Sequence, residues 1–298
     1  MIRRPAAPLA LMLFAAACGA RAGTDTGPRA DYRMSLAETG DTAWFHLQNE
    51  ATIGVVANGT DTVVVRSSED YVLELARSGP DTLVGFFDHI RIMTERAGRV
   101  VPVPMEPLYR REFLLTDSAG RYAVRALPHV SQMEPSVREA ARLLDETFFT
   151  VPAAPLAAGL VWVDTVDTSY ELNNARFHRM YVTRYQVVGD TVLHGVQAAV
   201  IRYESALDNE AAQIDNADAR TVLAGTETGT IVYSPARALI LSSHRNGRLD
   251  GEMTMPGPNG PQRMSHFYEF AVGFDLLPPR SALPADTAEP APTPRRQD

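Results

Sequence analysis

Apolar and polar positions alternate with a period of two along most of the chain. Tyr71, Leu73 and Leu75 alternate with Val72 and Glu74, the signature of a strand with one buried face. β-Branched runs flank Asn58-Gly59, where a two-residue type I′ turn needs positive φ at both central positions. Further hairpin signals stand at Ala97-Gly98, Ala119-Gly120 and Asn246-Gly247, and a turn at Gly79-Pro80 precedes extended sequence over 82–93. The stretch 100–108 carries prolines at 102, 104 and 107, so it is expected at a sheet edge or in a crossing loop. Later strands are predicted over 160–166, 177–188, 192–204, 228–233, 239–244, 251–255 and 264–274, with one hairpin turning at Gly189-Asp190. The Asn246-Gly247 hairpin would place Ile240 opposite Met253.

One segment breaks the alternation. In 136–159, SVREAARLLDETFFTVPAAPLAAG, the residues Val137, Ala141, Leu144 and Phe148 fall on one helical stripe. Arg138, Glu139, Arg142, Asp145 and Glu146 would then face water. Ser136 and Glu139 read as a capping box, and Pro152 and Pro155 cannot continue the helix. A helix this short is marginal alone, so β-structure on either side must cover its stripe. The pattern predicts a mainly β fold of antiparallel sheets, arranged as an open half-barrel or as two packed β-halves, with one central amphipathic helix as lid or plug.

The ends differ from the body. Arg3 and Arg4, an apolar run and small residues around Cys18 read as a secretion signal over 1–22. Two cleavage sites compete: before Cys18, where Ala15-Ala16-Ala17-Cys18 resembles a bacterial lipobox, and after the A-x-A triplet Ala20-Arg21-Ala22. The lipobox resemblance implies that Cys18 is the lipid-attachment residue, anchoring the protein to the membrane, in the periplasm or at the outer membrane. Residues 23–30 form a small, polar tether, 31–277 the β-rich domain with its seam at 136–159, and 278–298 a disordered proline-rich tail.

Composition narrows the chemistry. Cys18 is the one cysteine, which leaves the body without disulfides or thiolate metal sites. All 28 basic residues are arginine, so Schiff-base lysines and a phosphate-loop lysine are excluded. A net charge of −8 with scattered arginines argues against nucleic acid as a partner. The seven histidines do not cluster, and His178 and His194 are expected too far apart to share a metal. Asp208, Glu210, Asp215 and Asp218 lack the spacing of a calcium loop and read as a solvated loop. Ser242-Ser243-His244 lacks a nucleophile elbow. No catalytic residue, metal ligand or cofactor is predicted. Phe86, Phe87, Met93, Phe113, Trp162, Phe177, Met180, Tyr181, Phe267, Tyr268 and Phe270 either fill the core or line a cavity for an apolar small molecule.

The junction Phe148-Phe149-x-x-Pro152 leading to Gly159-x-x-Trp162, then a long strand, Gly189-Asp190 and a return strand containing Gly195, resembles an uncharacterised family of exported β-rich bacterial proteins over 31–277. At fold level the pattern is similar to the LolA/LolB half-barrel carriers, which bind acyl chains under a helical lid. The expected function is therefore an exported, lipid-anchored envelope protein with a non-catalytic role. The alternatives are a carrier of a lipid or other apolar ligand in a cavity under the helix, and a hydrolase with a dispersed site.

Overall fold

The computed structural model describes residues 35–278 except 58–59, 104–107, 119, 129–133, 173, 217–218 and 257–259. All of them fall in one compact unit, Tyr32–Asp298. Cys18, the secretion signal, the tether and the tail beyond Pro278 lie outside the described residues.

Alternating burial produces long strands. The first series is β1 (Thr42–Ala57), β2 (Thr60–Gly79), β3 (Thr82–Arg96), β4 (Arg99–Val103), β5 (Glu112–Ser118) and β6 (Arg121–Ala126). Helix α1 (Glu134–Thr147) follows. The second series is β7 (Val161–Leu172), β8 (Ala175–Leu193), β9 (Val196–Gln213), β10 (Arg220–Ser234), β11 (Leu239–Met255) and β12 (Gln262–Leu277). The twelve strands form a single open antiparallel sheet in the order β6-β5-β3-β2-β1-β12-β11-β10-β9-β8-β7, with β4 paired onto the second half of β3. The two β-halves are thus two meanders sharing one sheet, joined where β1 lies beside β12 from Trp44↔Leu277 to Val55↔His266.

Helix α1 leads from one free edge, β6, to the other, β7. Side chains from β6, β8 and β11 all reach it, so the sheet curls round it as an open half-barrel. The residues after the helix fill the gap between the edges. Val151 N–H donates to the carbonyl of Gly120, and Trp162 Nε1 donates to the carbonyl of Thr150. No helix among the described residues is long and apolar enough to cross a membrane.

The predicted stripe is buried: Val137, Ala141 and Leu144 face the core, with Ala140 and Leu143 beside them. Phe148 lies just past the helix and meets the Tyr122 ring. Below α1 the inner face is a wall of aromatic and leucine side chains. Phe45 stacks on Phe274 at 4.3 Å, and Phe87 bridges Tyr71 and Phe113. Tyr71, Leu73 and Leu75 are all buried there, each leucine contributing about 1.5–3 kcal/mol of apolar burial.

Several expectations are corrected. The Asn246-Gly247 hairpin does not exist, because β11 runs straight through it between β10 and β12. Gly247 serves a different need, since a Cβ there would stand 2.6 Å from the Phe270 ring. Ile240 consequently pairs with Tyr233, and Met253 with Thr221 and Met264. Gly189-Asp190 lies inside β8, paired with Val200 and Ala199 just after a register shift between Val187 and Gly189, and the chain turns instead at His194-Gly195, where both φ angles are positive (52° and 74°). Helix α1 starts at Glu134, so Ser136 is inside the first turn. The side chains of Ser136 and Glu139 lie outside the described residues. The hairpin expected at Ala97-Gly98 is present, with φ of 50° and 72°. The turn at Asn58-Gly59 lies outside the described residues, although Ala57↔Thr60 pairing brackets it.

Candidate functional site

The inner faces of β7 to β12 and the C-terminal end of α1, with Asn49 of β1 and Arg121 of β6, line a cavity of about 340 Å³. Period-two alternation supplies its lining. On β9 the inward positions are Tyr203, Ser205, Leu207, Asn209 and Ala211, and on β10 they run from Thr221 to Ile231. At ~3.3 Å per residue, the ten residue steps along β10 make the slot about 33 Å long at most. Its outer reach is mainly apolar, formed by Phe177, Val166, Leu207, Leu223, Leu249 and Tyr268, with Asn209, Glu210 and Thr221 among them. Toward the closed end stands an aromatic ladder. Trp162 stacks on Tyr185 at 4.9 Å, Tyr203 follows at 5.5 Å, and Phe149 packs edge-on against Tyr233. Tyr203 can lie flat over β10 because position 229 is glycine; a Cβ there would be 2.5 Å from its ring.

Charged groups gather at the waist of the slot. Thr183 Oγ1 and Ser205 Oγ share a 2.7 Å hydrogen bond, and Ser205 donates to Glu227 at 3.5 Å. Arg245 then forks between two carboxylates, reaching Glu227 at 3.2 Å and Glu146 at 2.7 Å. Glu146 also accepts from Arg142 at 2.6 Å and Tyr181 at 3.2 Å, and pairs with Arg179 at 3.6 Å. The side chains of Glu146, Glu227 and Arg245 are each only 9% exposed. Glu146 and Asp145, expected to face water, are therefore enclosed, because the concave sheet covers the polar side of α1 as well as its apolar stripe.

The two carboxylates titrate in opposite directions. Burial alone would raise both. At Glu146 the guanidiniums of Arg142, Arg245 and Arg179 outweigh burial and hold the carboxyl well below its usual range. At Glu227 burial wins over Arg245, with Glu146 adding repulsion, and the carboxyl is pushed up. Burial likewise raises Asp145, against a hydrogen bond from the Val124 amide and the charge of Arg121. The Tyr185 phenol is pushed up to about 12, chiefly by burial.

Residues singled out in the sequence are mostly elsewhere. His46, His178 and His244 pair on the surface with Asp70, Asp167 and Asp275. His266 is buried, which lowers its pKa, and its Nδ1 lacks a partner. Among the described residues no three His, Cys, Asp or Glu side chains form a metal-binding group. Asp208 and Glu210 belong to β9 rather than to a loop, and Glu210 pairs with Arg220. Ser242 and His244 share the outer face with Asp275, while Ser243 points into the slot. Of the aromatics, Phe87 and Phe113 are core, whereas Phe177, Tyr181, Tyr268 and Phe270 line the cavity. The cluster of Glu146, Glu227, Arg142, Arg179 and Arg245 was not anticipated. One signal for it was available: Glu227 holds an inward position in step with Leu223 and Ile231, where an apolar residue is the rule.

No family model matches the chain, and no curated protein matches it. Among solved structures it is similar to lipovitellin, in a structure describing lipid–protein interactions, at 13% identity and a TM-score of 0.44. That match covers 85% of this chain and 26% of lipovitellin. It is also similar to OmpT, an outer membrane protein of Vibrio cholerae, at 7% identity and a TM-score of 0.22, covering 80% of this chain and all of that one. Salmonella typhi OmpF, in complex with daunomycin, matches at 6% identity and a TM-score of 0.22, covering 79% of this chain and 98% of that one. Scores at this level do not support a transfer of function.

Proposed function

We propose that the chain is a non-catalytic binding protein of the bacterial cell envelope, held to the membrane through Cys18, that carries a lipid or other apolar ligand beside α1. The cavity supports this reading. Its volume of about 340 Å³ falls within the span of small-molecule pockets, and its long apolar reach suits an extended chain better than a compact solute. A hydrolase would need a free acid–base pair. Here all four carboxylate oxygens of Glu146 and Glu227 already engage Arg, Tyr or Ser side chains, which favours binding over catalysis.

Native mass spectrometry of the full chain purified from membranes tests the carrier role. A co-purified lipid is expected with the wild type, and its loss with Ala211→Trp, which fills the slot while leaving the far-UV circular dichroism intact. A ligand-free wild type, or equal lipid in both proteins, would count against the carrier role. Membrane fractionation tests the anchor separately: Cys18→Ser should move to the soluble fraction, and its retention in the membrane would remove that part of the reading.

A further inference from the structure

We propose that the ligand is a single-chain amphiphile with an anionic head, and that the Glu146 carboxylate occupies the head's site until the ligand displaces it. The proposal rests on the carrier reading above and adds the chemistry of the ligand's polar end.

Three guanidiniums and a phenol, drawn from α1, β8 and β11, converge on the one carboxylate of Glu146. A planar guanidinium fork is the side chain best matched to a carboxylate or a phosphate, so what surrounds Glu146 is a built anion site. The helix itself gives no reason for an acid there. Glu146 stands in the last turn, which contains no basic residue, and the macrodipole disfavours negative charge at that end.

The position of the site couples it to the slot. Arg142, Glu146, Arg179 and Tyr181 line the inner cavity and also an outer groove of about 780 Å³ that runs along α1 between β6 and β7. They form the partition between the two spaces. A chain lying in the apolar reach and entering through the groove leaves its polar end at this partition. The groove itself carries both signs, Arg121, Arg125 and Arg138 beside Asp145, Asp164 and Asp167, so the preference for an anionic head rests on the guanidiniums at the partition. When the head takes Arg179 and the Nη2 of Arg245 that Glu146 holds, Glu146 keeps Arg142, its neighbour one helical turn back, and Glu227 keeps the Nη1 of Arg245, so the exchange strands no carboxylate.

The test measures binding of dodecanoate, dodecyl phosphate and dodecanol to the full chain by calorimetry, in the wild type, Glu146→Gln and Arg179→Gln. In the wild type the anionic probes should bind at least about tenfold more tightly than dodecanol, the size of one charge-assisted hydrogen bond. Glu146→Gln should widen that ratio about tenfold again, and Arg179→Gln should narrow it. The stronger of the two anions identifies the head as carboxylate or phosphate. If all three probes bind alike, the carrier reading stands and the anionic head is wrong. If the ratio is the same in all three proteins, Glu146 is a structural clasp and not a stand-in for the head. If no probe binds, both readings fall. Should Glu146→Gln not fold, the comparison of wild type with Arg179→Gln decides.

Discussion

Replacing Arg245 with Met isolates what the charged waist does for stability. Arg245 is 9% exposed, and it is the one guanidinium among the described residues within ion-pair distance of Glu227. Glu146, by contrast, retains Arg142 and Arg179. The substitution therefore strands one buried carboxylate, and breaking a buried pair from one side costs about 3–5 kcal/mol. The pH dependence identifies the cause. The folded state already raises Glu227 above its ordinary 4.5, chiefly by burial, and loss of Arg245 raises it further. A carboxyl raised by folding stabilises the native state below its unfolded value, and that stability is lost as pH climbs through the folded value. The deficit of Arg245→Met should thus be full near about pH 7 and shrink toward about pH 5 as Glu227 takes up a proton. Adding Glu227→Leu should recover most of it, since an apolar replacement of a buried pair is often neutral or better. Urea unfolding followed by far-UV circular dichroism at both pH values measures each variant. A loss below about 1 kcal/mol, the range of surface pairs, or a loss that grows on acidification, would refute the reasoning.

Two further outcomes follow from close approaches elsewhere. Gly225→Ala should destabilise by about 3 kcal/mol, the upper range for overpacking, because its Cβ would stand 2.0 Å from the Arg248 carbonyl oxygen, a backbone atom that cannot rotate away; a thermal melt unchanged from wild type would contradict this. Arg77→Met should cost about 1–3 kcal/mol, since the buried guanidinium donates to the carbonyls of Leu36, Gly79 and Pro80. Limited proteolysis should then cut first near residues 35–41, and an unchanged cleavage pattern would show that the segment is held by other means.

The strands and the helix were legible because each follows from a local period. Tyr71, Leu73 and Leu75 announce an inward face, and Val137, Ala141 and Leu144 announce a stripe; both are buried as the pattern requires. Turns were less legible, because Gly answers to two demands. At His194-Gly195 glycine supplies positive φ, whereas at Asn246-Gly247 it makes room for the Phe270 ring, and a dipeptide cannot say which applies. The charged waist was hidden for a different reason. Arg142 and Glu146 look like an ordinary exposed helical pair until the curl of the sheet brings Arg179, Glu227 and Arg245 onto them from strands far apart in the chain. Nothing local encodes that curl.

The pairing of β1 with β12 has a consequence for how the molecule is made. Synthesis delivers the amino-terminal meander first, yet the flank of β1 that Trp44 presents to Leu277 has no mate until the final strand arrives. During that wait a long row of amide and carbonyl groups is open to wrong partners, and such non-local closure is intrinsically slow. Truncation of the last strand alone would leave both meanders with a raw inner margin, along β1 and along β11, rather than a shorter but sound protein.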